Sequence, residues 1–375
     1  IIRQPNRPCY IERMPPTVNN KSTDWTYRVE LSARMTEKAK RRNNMGLDKV
    51  AIVVVTYKRQ ELLQVLFDSL IALEKPIWRV VIVDNENSLQ TKEMVDAWNE
   101  LAQAQWGPPS ADAEDGTTRM VYFPQEKNGG GSGGFSAGTQ RAWDLGAEWF
   151  WLMDDDVAVL PDSIQTLEKW TDRFEVIQGR RYNFDDTPFY WQYHFITSLG
   201  IPDPTAPEAF DEKGYLEMNT ACFEGGLFKR SIVQKIGVPD YRFFIYWDDT
   251  IYGYLASKHT TPVVVNDFIM RRTRTINNWD IAGKRKLNST SDMNRYHIMR
   301  NRGYMARYFQ LYGDFNRLSF GFGTFLTFMK EVIRILAVDH GHFKSGVSSA
   351  WRGWRDSRPI LKDPNWKPMP PLEEK

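Results

Sequence analysis

The chain is 375 residues long and 42% hydrophobic, with 49 basic against 47 acidic residues. It can bury a full core, as two domains or as one large domain with extensions. A formal charge of +2 excludes a broad basic face for nucleic acid, and two cysteines, Cys9 and Cys222, exclude a disulfide framework or a four-cysteine zinc site. So few cysteines fit a reducing compartment. Fourteen tryptophans and sixteen tyrosines are more than packing needs, and such rings stack on sugars and bases.

Residues 1–48 hold Pro5, Pro8, Pro15 and Pro16, with a candidate short helix from Glu30 to Arg42. They read as an N-terminal extension. Lys49–Thr56 (KVAIVVVT) is a continuous β-branched run, the pattern of a parallel strand buried on both faces. Leu62, Leu63, Leu66, Leu70 and Leu73 stripe a helix over 59–73. A second buried strand, Arg79–Asn85, a helix over 89–104, a turn-rich loop Gly107–Gly116 and a third strand, Arg119–Phe123, follow. This alternation predicts an α/β fold with a doubly wound, mostly parallel sheet, which binds ligands at its carboxyl strand ends.

Asn128–Gly146 opens a further helix behind a glycine run, and Glu148–Pro161 carries a fourth strand into an acidic triplet. Residues 173–214 are aromatic and proline-rich with weak periodicity. A strand is expected near Thr220–Lys229, and helices near Asp292–Leu311 and Phe320–Val338. The catalytic region is placed at 49–290 and a helical C-terminal region at 291–375. No run approaches the ~20 apolar residues of a spanning helix, since Phe320–Val338 is interrupted by Gly321, Gly323, Lys330, Glu331 and Arg334. The start shows no secretory pattern. The expectation is a cytoplasmic chain at the inner face of the cell membrane. Its candidate lipid contact is Trp351, Arg352, Trp354, Arg355 and Arg358, equally readable as a packing or self-association surface of a homo-oligomer.

Four constellations carry chemistry. Asp154, Asp155 and Asp156 leave the fourth strand together, and adjacent carboxylates repel unless a cation joins them. Oxygen ligands there suit Mg²⁺ or Mn²⁺ shared with phosphate; a solvated acidic turn is the plain alternative. Asn128 and the glycines, Gly133 and Gly134 among them, allow close backbone approach to a ligand at a helix N-terminus. At the early strand ends Tyr57 can stack, Asp84 can accept from a base N–H and Arg59 can face a phosphate, although Thr56 also reads as a helix cap and Asp84 as a turn residue. With the triplet they describe a nucleotide diphosphate site. Trp247-Asp248-Asp249 offers a carboxylate beside an aromatic wall, fit to be the general base for an acceptor hydroxyl, or simply a helix cap. The five histidines lack metal spacing except His340 and His342, which sit in a glycine-rich turn.

The order VVVTYKR, VIVDN, NGGGSGGF, WLMDDDV, IGVPDYRFFIYWDDT and RNRGY resembles the family-2 glycosyltransferases, and within them the bacterial galactofuranosyltransferases, over Val50–Tyr308. The resemblance implies a GT-A catalytic domain with inverting transfer from UDP-galactofuranose to a surface or cell-wall polysaccharide or a lipid-linked glycan. Thr56, Tyr57, Arg59 and Asp84 match positions that hold the uridine diphosphate, and Asp154 and Asp156 match the Mn²⁺- or Mg²⁺-binding motif. Asp155, Asn128, Gly133 and Gly134 fall in donor-binding segments. Asp248 or Asp249 matches the catalytic base and Trp247 the sugar-site aromatic. Similar proteins often supply a histidine ligand some two dozen residues after the base. Here that stretch, Asn266–Thr275, has Arg271 and Arg272 and no histidine, leaving the third ligand open. The competing expectations are a rhamnosyltransferase using a dTDP-sugar and a non-catalytic carbohydrate-binding scaffold of the same fold. A nucleotidyltransferase would need a phosphate-binding glycine loop beside the first strand, where TYKR stands instead.

Overall fold

The computed structural model describes residues 46–109, 118–189, 194–203, 210, 212–274, 278–281, 285–339 and 343–374. Cys9, the expected helix at 30–42, most of the loop 107–116, Thr275, His340 and His342 lie outside them.

The β-branched run forms β1, Val50–Thr56, at the middle of the sheet. Alternation along it serves two cores. Ala51 and Val53 face one hydrophobic cluster with Val81, Val83, Phe150 and Leu152. Ile52 and Val54 face the other with Val80, Ile82, Trp151 and Met153. A strand with both faces covered can be apolar throughout, which is why no polar alternation shows in the sequence.

Helix α1 (Gln60–Ile71) buries Leu63, Leu66, Phe67 and Leu70 against the second cluster. Strand β2 (Arg79–Asp84), helix α2 (Leu89–Trp106, with the Ser88 hydroxyl accepting from the Thr91 amide) and β3 (Met120–Pro124) complete the first crossovers. Helix α3 (Gly130–Asp144) leads to β4 (Trp149–Asp154). Strands β3, β2, β1 and β4 lie side by side and parallel.

Beyond β4 the sheet changes character. A short β5 (Val157–Val159), helix α4 (Ser163–Glu168), β6 (Val176–Tyr182) and β7 (Pro188–Phe189) follow. Next come β8 (Phe195–Ile196), β9 (Ile201–Pro202), β10 (Tyr215–Glu217), β11 (Gly226–Lys229), helix α5 (Arg230–Ile236), helix α6 (Asp248–Ser257) and β12 (Val263–Arg272). The full path is β10-β12-β6-β11-β4-β1-β2-β3, with β11 antiparallel to both neighbours. The strand expected from Thr220 starts only at Gly226. Strand β12 escapes periodicity because Asn266 and Asp267 sit where its register to β6 shifts.

A hairpin, β13 (Asn278–Ile281) with β14 (Arg285–Asn288), precedes the C-terminal helices. The single helix expected over 292–311 is two, α7 (Asp292–Arg300) and α8 (Arg302–Leu311), separated at Asn301. Helix α9 (Arg317–Arg334) continues through a wider turn to Asp339. Helix α10 (Phe343–Lys362) contains the Trp/Arg segment and packs on α7 and α8. Among the described residues no helix is long and apolar enough to cross a membrane.

Candidate active site

In register, Thr56 lies opposite Asp84 and Val55 opposite Asp154. The first, second and fourth strands therefore end at one edge, where parallel sheets bind ligands. A cavity of about 1000 Å³ opens there. It lies at the upper end of small-molecule pockets, large enough for a nucleotide sugar together with part of a second substrate. Thr56, Tyr57, Arg59, Asn128, Asp154–Asp156 and Trp247–Asp249 all line it.

The floor is an ion network. The Thr56 hydroxyl donates to Asp155 at 2.8 Å and Arg59 Nη1 donates to its other oxygen at 3.0 Å. Asp155 is buried, so its carboxylate ties β1 to β4 rather than standing free for a donor. Arg59 also lies 3.8 Å from Asp156, and Arg274 lies 3.6 Å from the same oxygen. Asp154 makes no side-chain ion pair among the described residues. Burial, then Asp156 and Glu224, push its carboxyl well above the ordinary range.

Glu224, outside every sequence motif, completes the group. Oxygens of Asp154, Asp156 and Glu224 lie within 4.8 Å of one another. Burial alone would raise Glu224, but Arg181 and Arg272 hold it below the usual carboxylate range. Arg272 meets it bidentately at 2.8 and 2.8 Å, and Arg181 contributes a third contact at 2.8 Å. No local pattern marks this glutamate; it precedes β11, and only the antiparallel pairing of β11 with β4 brings it beside the triplet. The all-oxygen set and the elevated Asp154 fit a hard divalent cation, with Asp154 and Asp156 as its carboxylates and Glu224 closing the group. Arg272 stands beside that group where a histidine ligand was sought.

The opposite wall is made by strain. Phe244, Tyr246 and Trp247 have φ of 67°, 68° and 71°. Bulky residues in the left-handed region cost on the order of 1–3 kcal/mol each and persist only where the surroundings over-determine them. Asn301 supplies that constraint. Its Nδ2 donates to the carbonyls of Phe243, Ile245 and Tyr246 at 2.9, 2.8 and 3.0 Å. From the other side the Ser132 amide donates to Phe244 O at 3.1 Å. Gly130, itself at φ +72°, lets that carbonyl approach; a Cβ there would sit 2.1 Å from it. The Trp247 indole donates to Ile298 O at 3.1 Å, and its ring meets Phe195 edge-on.

This strap delivers Asp248 and Asp249 to the first turn of α6. Burial, then Asp249, raise Asp248 to about 7. Burial also raises Asp249, whose Oδ1 accepts from the Thr250 amide and hydroxyl. Glu224 adds to the rise at Asp249, and Asp249 adds to the rise at Asp154.

Three expected donor residues sit elsewhere. Asp84 is fully buried; its carboxylate accepts from the Glu86 and Ser88 amides and the Tyr122 hydroxyl, which makes it the turn residue of the alternative reading. Its neighbour Asn85 lines the cavity instead. Asn85 Nδ2 donates to Gly130 O at 3.0 Å, and its buried Oδ1 has no partner. Gly133 and Gly134 are helical and outside the cavity lining, because the glycine run is the first turns of α3 rather than a loop before it. Gly134 serves the close approach of α3 to β1, where a Cβ would meet Val55 at 2.3 Å. Asn128 accepts from the Gly130 amide at 2.8 Å at the cavity edge. Buried Cys222, its thiol pushed up to about 12 by burial, is no nucleophile.

A strand-end nucleotide-type cavity on a sheet of this order defines a GT-A glycosyltransferase fold. The sequence model of glycosyl transferase family 2 matches residues 51–237, and with this domain the chain belongs to that family. It is galactofuranosyltransferase-like in sequence. It is 27% identical over 208 residues to Galactofuranosyltransferase GlfT1 of Mycolicibacterium smegmatis and 30% identical over 211 residues to that of Mycobacterium tuberculosis. The matches span 53% and 54% of this chain and 62% of each relative's length. Staphylococcus aureus TarS 1–349 shares the fold with a TM-score of 0.51 at 12% identity, over 83% of this chain and 81% of that one.

Proposed function

We propose that the protein is an inverting glycosyltransferase that moves galactofuranose from UDP-galactofuranose to a hydroxyl of a polysaccharide or lipid-linked glycan. The observation that supports it best is one cavity holding the Asp154–Asp156–Glu224 cluster and the Trp247-Asp248-Asp249 wall together. Tyr57 offers a stacking face for the base, and the unpartnered Asn85 Oδ1 an acceptor for its N–H. Arg59, Arg272 and Arg274 surround the place for the diphosphate. A bound Mn²⁺ or Mg²⁺, held by Asp154 and Asp156 with Glu224, would supply charge compensation for the leaving diphosphate. Trp247 walls the sugar.

Asp249 is the base. It takes the acceptor proton as the acceptor oxygen attacks the anomeric carbon and the C–O bond to the diphosphate breaks, in one inverting displacement. Asp248, elevated beside it, keeps the pair from carrying two full charges near neutral pH. The experiment is UDP release with UDP-galactofuranose and a galactose-terminated acceptor, with Mn²⁺ and then with EDTA. Release that EDTA abolishes is expected. Turnover with dTDP-rhamnose alone would replace the sugar. Silence with every donor alongside tight glycan binding would leave a scaffold.

A further inference from the structure

Helix α9 is inside out. The residues it buries include Thr324, Thr327, Glu331 and Arg334, while those it exposes beyond Arg317 are apolar or glycine. Leu318, Phe322, Phe325, Met329, Ile333 and Leu336 recur at helical spacing on the outer face, with exposures of 85%, 57% and 60% at Leu318, Phe322 and Leu336. The buried polar face is held by hydrogen bonds and an ion pair. Arg302 of α8 donates to the Thr324 and Thr327 hydroxyls and to the carbonyls of Leu199 and Gly200, and Arg334 Nη1 donates to both Glu331 oxygens at 3.0 and 2.9 Å. These bonds fix the rotation of α9, so the apolar stripe cannot turn inward. A contiguous exposed face of this kind marks an interaction surface.

We propose that this face docks in the plane of an anionic lipid bilayer surface. Charge selects that occupant. From 317 to 362 the described residues hold eight Lys or Arg against three Asp or Glu. Of those three acids, Glu331 pairs with Arg334 and Asp356 with Arg355 inside the stretch, and Asp339 pairs with Arg295 of α7, so the stretch stays net basic. Trp351 of α10, itself 52% exposed, lies against Phe328 of α9 with ring centroids 6.3 Å apart. Along α10 the same stripe continues through Arg355, Arg358 and Lys362, so a basic rim with an interfacial tryptophan adjoins the apolar face. A second copy meeting the stripe symmetrically would set basic rim against basic rim. The wet side of α9 turns Lys330 and Arg334 into the cavity lining, so the docked face and the cavity share one helix. The inference stands on this geometry whether or not the chain transfers galactofuranose.

The test is co-sedimentation of the full chain with vesicles of phosphatidylcholine, alone and with about a quarter phosphatidylglycerol. Sedimentation with the anionic vesicles, weakened by salt, is expected. Phe322→Ser with Phe325→Ser should weaken partitioning about tenfold or more, and Arg355→Ser with Arg358→Ser by less. Thermal melting reports folding, and Leu318→Ser, at the exposed start of α9, provides a second apolar variant if the first is unstable. The proposal is overturned if the chain stays in solution with anionic vesicles. It is overturned equally if the folded apolar variants sediment like the parent, or if the lipid-free chain is a stable dimer that the same substitutions dissociate.

Discussion

The two walls of the cavity are built on opposite principles. The wall made by the ends of β1, β2 and β4 is regular backbone whose charged groups answer one another: Thr56 and Arg59 hold Asp155, and Arg181 and Arg272 hold Glu224. The wall made by residues 243–249 is strained backbone whose side chains are free to act because other residues hold the main chain in place, chiefly Asn301 and Gly130. The first wall positions through ion pairs and tolerates a ligand exchanging into the network. The second positions through hydrogen bonds to carbonyls, and misplacement there displaces the reacting group itself.

The largest effect is expected where the second wall meets the acceptor. Asp249→Asn should lower kcat by about a thousandfold, in the range of general-base removal, while UDP affinity changes by less than about threefold. Retained turnover would break the division between the walls. The pH profile sharpens it. The working base is deprotonated Asp249, whose carboxyl burial raises, so activity should climb as pH rises, on a limb displaced above the ordinary carboxylate range. In Asp248→Asn the remaining carboxyl loses its like-charged neighbour, so this limb should move to lower pH. An unmoved limb would detach the pair from the rate.

Asn301→Ala tests the strap without touching substrate. It removes the two N–H donors that three strap carbonyls share, at about 1 kcal/mol per donor, from residues that are strained already. The expected outcome is a fall in kcat of about ten- to a hundredfold with little change in UDP affinity, and a lower melting temperature. A change confined to donor affinity would place Asn301 with the wrong wall. Asn85→Ala makes the reverse prediction on the first wall: donor binding weakens about five- to tenfold, with kcat nearly kept. Calorimetric titration with UDP separates the two.

The sequence made the first wall readable and the second only in part, for a physical reason. Buried parallel strands announce themselves as β-branched runs, and register then carries Thr56 and Asp154 to one edge. Asp84 and Asn85 were both visible at the second strand end, but which of them faces the cavity depends on the turn that Asp84 caps through the Glu86 and Ser88 amides. Glu224 and Asn301 act through long-range placement, and neither spacing nor composition shows which carboxylate or amide the fold will bring in. The Trp247-Asp248-Asp249 motif was legible; the left-handed backbone that aims it was not, since Phe, Tyr and Trp carry no preference for positive φ.

The smallest expected effects separate the glycines the sequence grouped together. Gly133 and Gly134 follow one another in α3, yet a Cβ on Gly133 meets nothing within 4 Å, whereas one on Gly134 meets Val55 at 2.3 Å. If the run served the donor, both positions would resist substitution and donor affinity would register it. If the run serves helix formation and packing, Gly133→Ala should stabilise by about 0.5–1 kcal/mol, because alanine loses less backbone entropy in a helix, with UDP affinity unchanged. Gly134→Ala should destabilise by about 1–3 kcal/mol through overpacking against β1. Melting temperatures measured beside UDP titrations give the answer. A Gly133→Ala protein that melts normally and binds UDP poorly would return the glycine run to the donor wall; opposite shifts in melting, with affinity unchanged in Gly133→Ala, would assign it to the contact between α3 and β1 that holds the two walls at their working distance.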